Sequence, residues 1–242
     1  MGFLTNFYGF KGYLALARQK RDDAEKYLSK AWEQGLEKTS YLTAYGSLLM
    51  KKGEYAKCKE VYEKAFEGLG VNVMYYTAIR CSIITCKYKL GDIEEALVEA
   101  KEMYDDMKSG TSFVLYGYLL MDQNRIDEAL AVNLEGYEYD PMDVAICDNL
   151  GQTYYRLGDM ENAKKYFEEA IDIKRDMTDS CYFLALIVLG EGDIKRAYYL
   201  LDDAMDSTFS ALTTVTRDEL EKKYKEVEAL YERSKGNNTK EE

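Results

Sequence analysis

Histidine is absent from all 242 residues, and proline occurs once, at Pro141. Without histidine the commonest general base is missing, and so are the Ser-His-Asp and Cys-His arrangements of nucleophilic catalysis. With a single proline, almost nothing interrupts a helix, and the chain reads as helical throughout. No run of 18 or more apolar residues occurs, so no segment is long enough to cross a membrane as a helix. The five cysteines, at 58, 81, 86, 147 and 181, form no Cys-x-x-Cys pair. An odd number at such spacings fits buried free thiols in a reducing compartment, and fits disulfides or zinc poorly. A Gly-rich phosphate loop is missing too, since the Gly-Asp pairs read as turns between helices. Paired acids such as Glu168-Glu169 and Asp202-Asp203 diverge on a helix and face solvent. The expectation is a protein that is not an enzyme and holds no cofactor and no metal.

What is present in excess is acid and tyrosine. Forty-four Asp and Glu against 32 Lys and Arg give a net charge of −12, which speaks against nucleic acid and against anionic membrane as partners. The acids are scattered, so they form a solvated surface rather than an acidic tail. The 23 tyrosines fit a core residue with its apolar body inside and its hydroxyl at the rim; the alternative is a Tyr-rich binding surface. The opening GFLTNFYGF is apolar but short, and lacks the basic start and small-residue cleavage site of a signal peptide. It reads as the first helix of the fold, or else as the remnant of a trimmed anchor or transit segment.

The organising stretch is 144–177, two helices of about a dozen residues joined at Leu157-Gly158-Asp159. Gly151 and Ala163 allow the helices to approach closely, and Tyr154, Phe167, Ala170 and Ile171 supply the apolar seam. Steps of 34 residues recover the pattern at 110–143, with Gly117 and Ala129, and at 178–211, with Ala185, Ala197, Leu201 and Ala204. Earlier units lie at 5–38, with Gly12, Ala24, Leu28 and Ala31, and at 39–72, with Gly46, Cys58, Tyr62 and Ala65. A sixth unit at 77–109 has a clear second helix in Ala96, Leu97 and Ala100. In its first helix Ile84 stands where Gly or Ala belongs and Lys87 where an aromatic belongs. A one-residue register shift, or a longer turn near Leu90, would relieve part of that, and Val73 to Tyr76 lengthen the connection before it. Asp92 three residues before Glu95 has the spacing of a capping box, and Asp159 and Asp193 stand at the same place after Gly. Residues 217–234 form a lone amphipathic helix with Leu220, Tyr224, Val227 and Tyr231 on one stripe, which reads as an end cap or as a dimerising seam. Residues 235–242 read as a disordered tail.

These units resemble the tetratricopeptide repeat: Leu-Gly, Tyr, Gly, then Ala, aromatic and Ala recur at that family's spacings. The resemblance implies an all-α, right-handed superhelical solenoid of about six helical hairpins with a C-terminal capping helix, one domain over 1–234. It implies a scaffold that binds a protein or peptide in a concave groove lined by the first helices. Alternatives are a self-assembling structural subunit and a peptide-sensing regulator. The groove positions carried over are Thr43 and Ser47, then Val114 and Tyr118, then Asp148, Asn149 and Gln152, and finally Tyr182. The two-carboxylate clamp of chaperone-binding members needs cations on the flanking helices. Asn149 matches its middle Asn, but Val114, Tyr118, Asp179 and Phe183 stand where Lys, Asn or Arg belong, so Asn149 fits a hydrogen bond between helices better. The expected partner is neutral to basic and partly apolar, bound by a cytoplasmic monomer without membrane insertion.

Overall fold

The computed structural model describes residues 2–69 and 75–238, with side chains to 235. Among these there are thirteen α-helices and no strand. They run in pairs: α1 (Phe3–Ala17) with α2 (Arg21–Glu33), α3 (Thr39–Lys52) with α4 (Tyr55–Glu67), and α5 (Tyr76–Leu90) with α6 (Ile93–Asp106). Then follow α7 (Gly110–Asp122) with α8 (Ile126–Tyr139), α9 (Val144–Leu157) with α10 (Met160–Ile173), and α11 (Thr178–Gly190) with α12 (Ile194–Met205). A thirteenth helix, α13 (Arg217–Asn238), closes the series. The fold is an all-α helical-repeat solenoid. Its helices fall into two compact units, Met1–Met107 and Lys108–Glu242. Half of the lengthened connection expected at Val73 to Tyr76, residues 73 and 74, lies outside the described residues, as does the polar tail from 239. The part of that tail up to Asn238 continues α13.

Each hairpin closes on a small residue. Ala24, Cys58, Ala96, Ala129, Ala163 and Ala197 are all fully buried at the same place in the second helix. On the first helix Gly12 lies against Leu28, Gly46 against Tyr62, Gly117 against Asn133 and Gly151 against Phe167. A Cβ at Gly151 would stand 2.4 Å from the Phe167 ring, so only glycine fits there. Leucine at Ala163 is expected to destabilise by about 1–3 kcal/mol through overpacking. Leucine at Lys164, which is partly exposed and pairs with Glu191 at 2.6 Å, should shift stability by about 1 kcal/mol or less. Denaturant midpoints of the two variants check this, and equal shifts would mean that the helix faces are wrongly assigned.

The third hairpin keeps this register without the shift or longer turn anticipated near Leu90. α5 ends at Leu90 with Gly91 left-handed at φ 97°, as α9 ends before Gly158 at φ 78°. What changes is the pairing. The positions of Gly151 and Phe167 are taken by Ile84 and Ala100, both fully buried, so the large and small partners have exchanged helices. The positions of Tyr154 and Tyr166, whose rings stack at 5.5 Å, are taken by Lys87 and Glu99, joined at 2.6 Å. Glu95 adds a second bond to Lys87, also at 2.6 Å. Burial acts to lower the Lys87 pKa, but the hydrogen bonds it donates to Glu95 and Glu99 together outweigh that and hold the ammonium above its ordinary value.

That use of Glu95 corrects one expectation. Asp92 makes no side-chain capping bond, so the capping box does not form. The equivalent Asp159 and Asp193 do cap, accepting from the backbone N–H of Asn162 at 3.1 Å and of Arg196 at 2.9 Å. α13 starts on a reciprocal box: Thr216 accepts from the Glu219 N–H at 3.2 Å while the Glu219 carboxylate accepts from the Thr216 N–H at 2.8 Å. The stripe expected on α13 faces inward, with Leu220 and Val227 fully buried and Tyr231 stacked on Tyr198 of α12 at 4.7 Å. All five thiols are free, and burial pushes Cys147 up to about 11 and Cys181 up to about 12, so neither is a ready nucleophile.

Candidate partner-binding cleft in the second unit

In the second unit the first helices α7, α9 and α11 line one side of a cleft of about 300 Å³. Val114 and Tyr118 come from α7, Ala145, Asp148 and Asn149 from α9, and Thr178 and Asp179 from α11. The opposite wall is the chain itself: Thr208, Ser210, Leu212 and Thr213 belong to the connection between α12 and α13. Lys174 and Asp176 stand at the rim, 3.7 Å apart.

Beneath the cleft lies a polar network. Gln152, 2% exposed, donates to Asp148 Oδ2 at 2.8 Å and to Asp179 Oδ2 at 3.4 Å. Ser180 donates to the other Asp148 oxygen. Asp179 accepts two successive backbone N–H groups of the connection, Thr214 at 2.9 Å and Val215 at 2.9 Å. The Thr214 hydroxyl donates to Gln152 Oε1 at 2.8 Å, and Thr178 and Ser207 share a short hydroxyl contact. Residues 206–216, which turn at Ala211–Leu212 and bury Val215 in the core, are thereby strapped across α9 and α11. No buried side-chain polar atom among the described residues is left without a partner.

Asp148 and Asp179 are 6% and 5% exposed, and no cation compensates either one among the described residues. Burial pushes the Asp148 carboxyl up to about 6, and burial followed by the Asp148 charge pushes Asp179 up to about 7. In the unfolded chain both titrate near about 3.9. Between that value and the raised ones the folded state binds more protons than the unfolded state, so stability grows as pH falls through 7 and 6 and is lost as pH rises. The chain should therefore be more stable at pH 5 than at pH 8, by on the order of 2–4 kcal/mol. Asp179→Asn should flatten that dependence, as read from thermal melts across the range. A wild-type chain equally stable at both values would rule out the raised pair.

The positions expected to line a groove separate into three groups. Val114, Tyr118, Asp148 and Asn149 come together around the cleft. Asn149 also ties two helices, donating to the Val114 carbonyl at 3.0 Å and to Asn133 Oδ1 at 3.4 Å. Gln152 is taken up by the strap, and half-buried Tyr182 lies near Lys223 and Glu219 of α13. Thr43 and Ser47 belong to the first unit, where each hydroxyl donates to a carbonyl of its own helix, Ser40 at 3.1 Å and Ala44 at 2.8 Å. Sequence reasoning missed the strap and its anchors Thr178, Ser180, Ser207 and Thr214. The available signal was the run DSTFSALTTVT, small, polar, without helical periodicity, and longer than the other connections.

Two segments, 39–67 and 144–177, match the tetratricopeptide repeat family. Among solved structures, TTC0263, a thermophilic TPR protein of Thermus thermophilus, superposes with a TM-score of 0.63 at 17% identity, over 78% of this chain and 98% of that one. A chain of the APC/C Cut9–Hcn1 hetero-tetramer gives 0.66 at 14% identity, over 91% of this chain and 42% of that one. PilW, a type IV pilus biogenesis factor, gives 0.62 at 13% identity, over 84% and 92%. In sequence, 83 residues are 29% identical to mouse (Mus musculus) protein arginine N-methyltransferase 9, covering 34% of this chain; the match spans a tenth, 10%, of that relative's length. Helical hairpins of this packing, with a cleft along their first helices, define a helical-repeat protein. The chain carries tetratricopeptide repeats at 39–67 and 144–177.

Proposed function

We propose that the chain is a protein-interaction scaffold whose second unit holds an extended segment of a partner protein in the cleft beside residues 206–216. The observation that carries this is the strap itself. Asp179 and Gln152 grip a segment of this chain through two backbone N–H groups and a hydroxyl, without reading its larger side chains. The cleft next to it offers the same kind of surface, a first-helix floor with buried acceptors. Val114, Ala145 and Met177 supply half-buried apolar contact, and Asp148 and Asp179 make the floor acidic. A neutral to basic, partly apolar segment suits that floor, bound with modest salt dependence because its charges are few and buried.

No catalytic role is needed to account for these residues. Among the described residues no three or more of His, Cys, Asp and Glu gather as a metal set, and no helix is long and apolar enough to cross a membrane. Tyr118 and Asn149 are poor choices for a binding test, since both are buried and Asn149 bonds two helices. Half-buried Ala145 is the better probe. A photo-crosslinker at 145 should capture the partner, and Ala145→Arg should weaken that partner's binding at least tenfold with helicity retained. Val114→Arg should do the same from the neighbouring helix. Full-strength binding by both folded variants would move the binding surface elsewhere.

A further inference from the structure

The first unit ends in a surface that the cleft does not explain. On α1, Phe3, Leu4, Phe7, Phe10 and Tyr13 are 84%, 57%, 42%, 54% and 47% exposed, one nearly continuous apolar stripe. Isolated exposed apolar residues are ordinary, but five on one helix mark a surface that something covers. The next repeat shows what kind of object does so. Phe7 and Lys11 of α1 correspond in register to Tyr41 and Tyr45 of α3. Tyr41 is buried against Gly9 of the preceding first helix, whose Cβ would stand 2.5 Å from that ring. Tyr45 is buried beside Trp32 of the preceding second helix, 6.5 Å between ring centres. Helices of a preceding repeat are thus the cover for which these positions are shaped, and among the described residues no helix covers them on α1.

Charge narrows the occupant. α1 contains no acidic residue, and its Lys11 lies 4.5 Å over the Phe7 ring. Residues 1–32 carry six Lys and Arg against three Asp and Glu, a local +3 in a chain of −12. A second copy meeting head to head would bring two such basic ends together. A second copy meeting head to tail would find its docking face closed, because α13 buries Leu220 and Val227 against the last hairpin. An anionic bilayer would attract this end but repel the strongly acidic remainder.

We propose that the exposed stripe of α1 is a second interaction surface, which docks an acidic amphipathic helix of another protein where a preceding repeat would stack. The apolar side of that helix covers Phe7 and Phe10, and its carboxylates meet Lys11. This surface stands apart from the cleft, and either can fail without the other.

The probe is a stapled, fluorescein-labelled peptide of residues 159–174, the acidic second helix whose Phe167 stacks on Phe183, the α11 residue at the register of Phe10. It should bind the full chain in an anisotropy titration. The double variant F7S/F10S, altered only at exposed positions, should bind at least tenfold more weakly, and K11E should also bind more weakly. A peptide with its Glu residues changed to Lys should lose binding at least tenfold, and Ala145→Arg should leave binding unchanged. Absence of binding, or binding that F7S/F10S leaves intact, overturns the proposal. So does a dimer in light scattering that F7S/F10S disperses, which would make a second copy the occupant. Flotation with phosphatidylcholine–phosphatidylglycerol vesicles that F7S/F10S abolishes would make a bilayer the occupant and overturns it too.

Discussion

Gly151→Ala is expected to destabilise the second unit by about 1–3 kcal/mol, although alanine is the better helix former. The added methyl group would stand 2.4 Å from the Phe167 ring, less than any carbon–carbon contact allows. Phe167 is fully buried and stacks on Phe183 at 5.9 Å, so it cannot swing aside without moving a second ring. The helices must part or the rings must repack. Gly190→Ala provides the opposite sign. It closes α11 with open space around it, and alanine there should stabilise by about 0.5–1 kcal/mol by restricting the unfolded chain. Denaturant titrations of the two variants test whether close approach, rather than helix propensity, sets the glycine column. Two variants that move in the same direction would show that it does not.

That column also marks how far the sequence could be read. Single positions repeated every 34 residues were enough to place Gly12, Gly46, Gly117 and Gly151 on first helices and Ala24, Cys58, Ala129, Ala163 and Ala197 on second ones. The helix ends followed as well, because Leu-Gly-Asp combines a left-handed glycine with a capping carboxylate at Gly158-Asp159 and Gly192-Asp193. The third hairpin looked irregular because a column shows one residue at a time, whereas packing is decided by pairs. Ile84 is anomalous beside Gly151, but Ile84 with Ala100 fills a volume comparable to that of Gly151 with Phe167. Lys87 is anomalous beside Tyr154, but Lys87 with Glu99 makes the contact that Tyr154 makes with Tyr166. At Asp92 the local signal was overruled by a longer-range one, because Lys87 had the stronger claim on Glu95.

The site was legible only as a set of first-helix positions. Periodicity assigns a face to Asp148, Gln152 and Tyr182, but it carries no information about what lies opposite. The strap has no period, and its bonds reach 35 residues from Thr214 to Asp179 and 62 from Thr214 to Gln152. Its bonds to Asp179 run from backbone N–H groups that every non-proline residue owns, so no side-chain pattern announces those two. The two buried acids were visible as letters. Their missing counter-charges were not, because those depend on which side chains the fold brings near.

Deleting residues 217–242 is expected to be the most damaging single change, costing the second unit on the order of 5 kcal/mol. Leu220, Val227 and Tyr231 lose their burial, and the α12 face beneath them, including Leu201 and the Tyr198 ring, meets water. Leu220→Ala alone should cost about 2–4 kcal/mol of the same term, through lost contact and the cavity it leaves. The deletion reaches the cleft as well. The strap is pinned at its far end by the Thr216–Glu219 box, and without Glu219 the N–H groups of Thr214 and Val215 remain tied to Asp179 by a segment with a loose end. Hydrogen exchange should therefore speed up in α11, in α12 and in 206–216, while α9 and α10 keep most of their protection, because each hairpin leans chiefly on its neighbours. Light scattering should show aggregation through the bared α12 face. A truncated chain that stays monomeric, melts where the full chain melts and leaves exchange in α12 unchanged would mean that α13 contributes nothing to this fold and serves a partner instead.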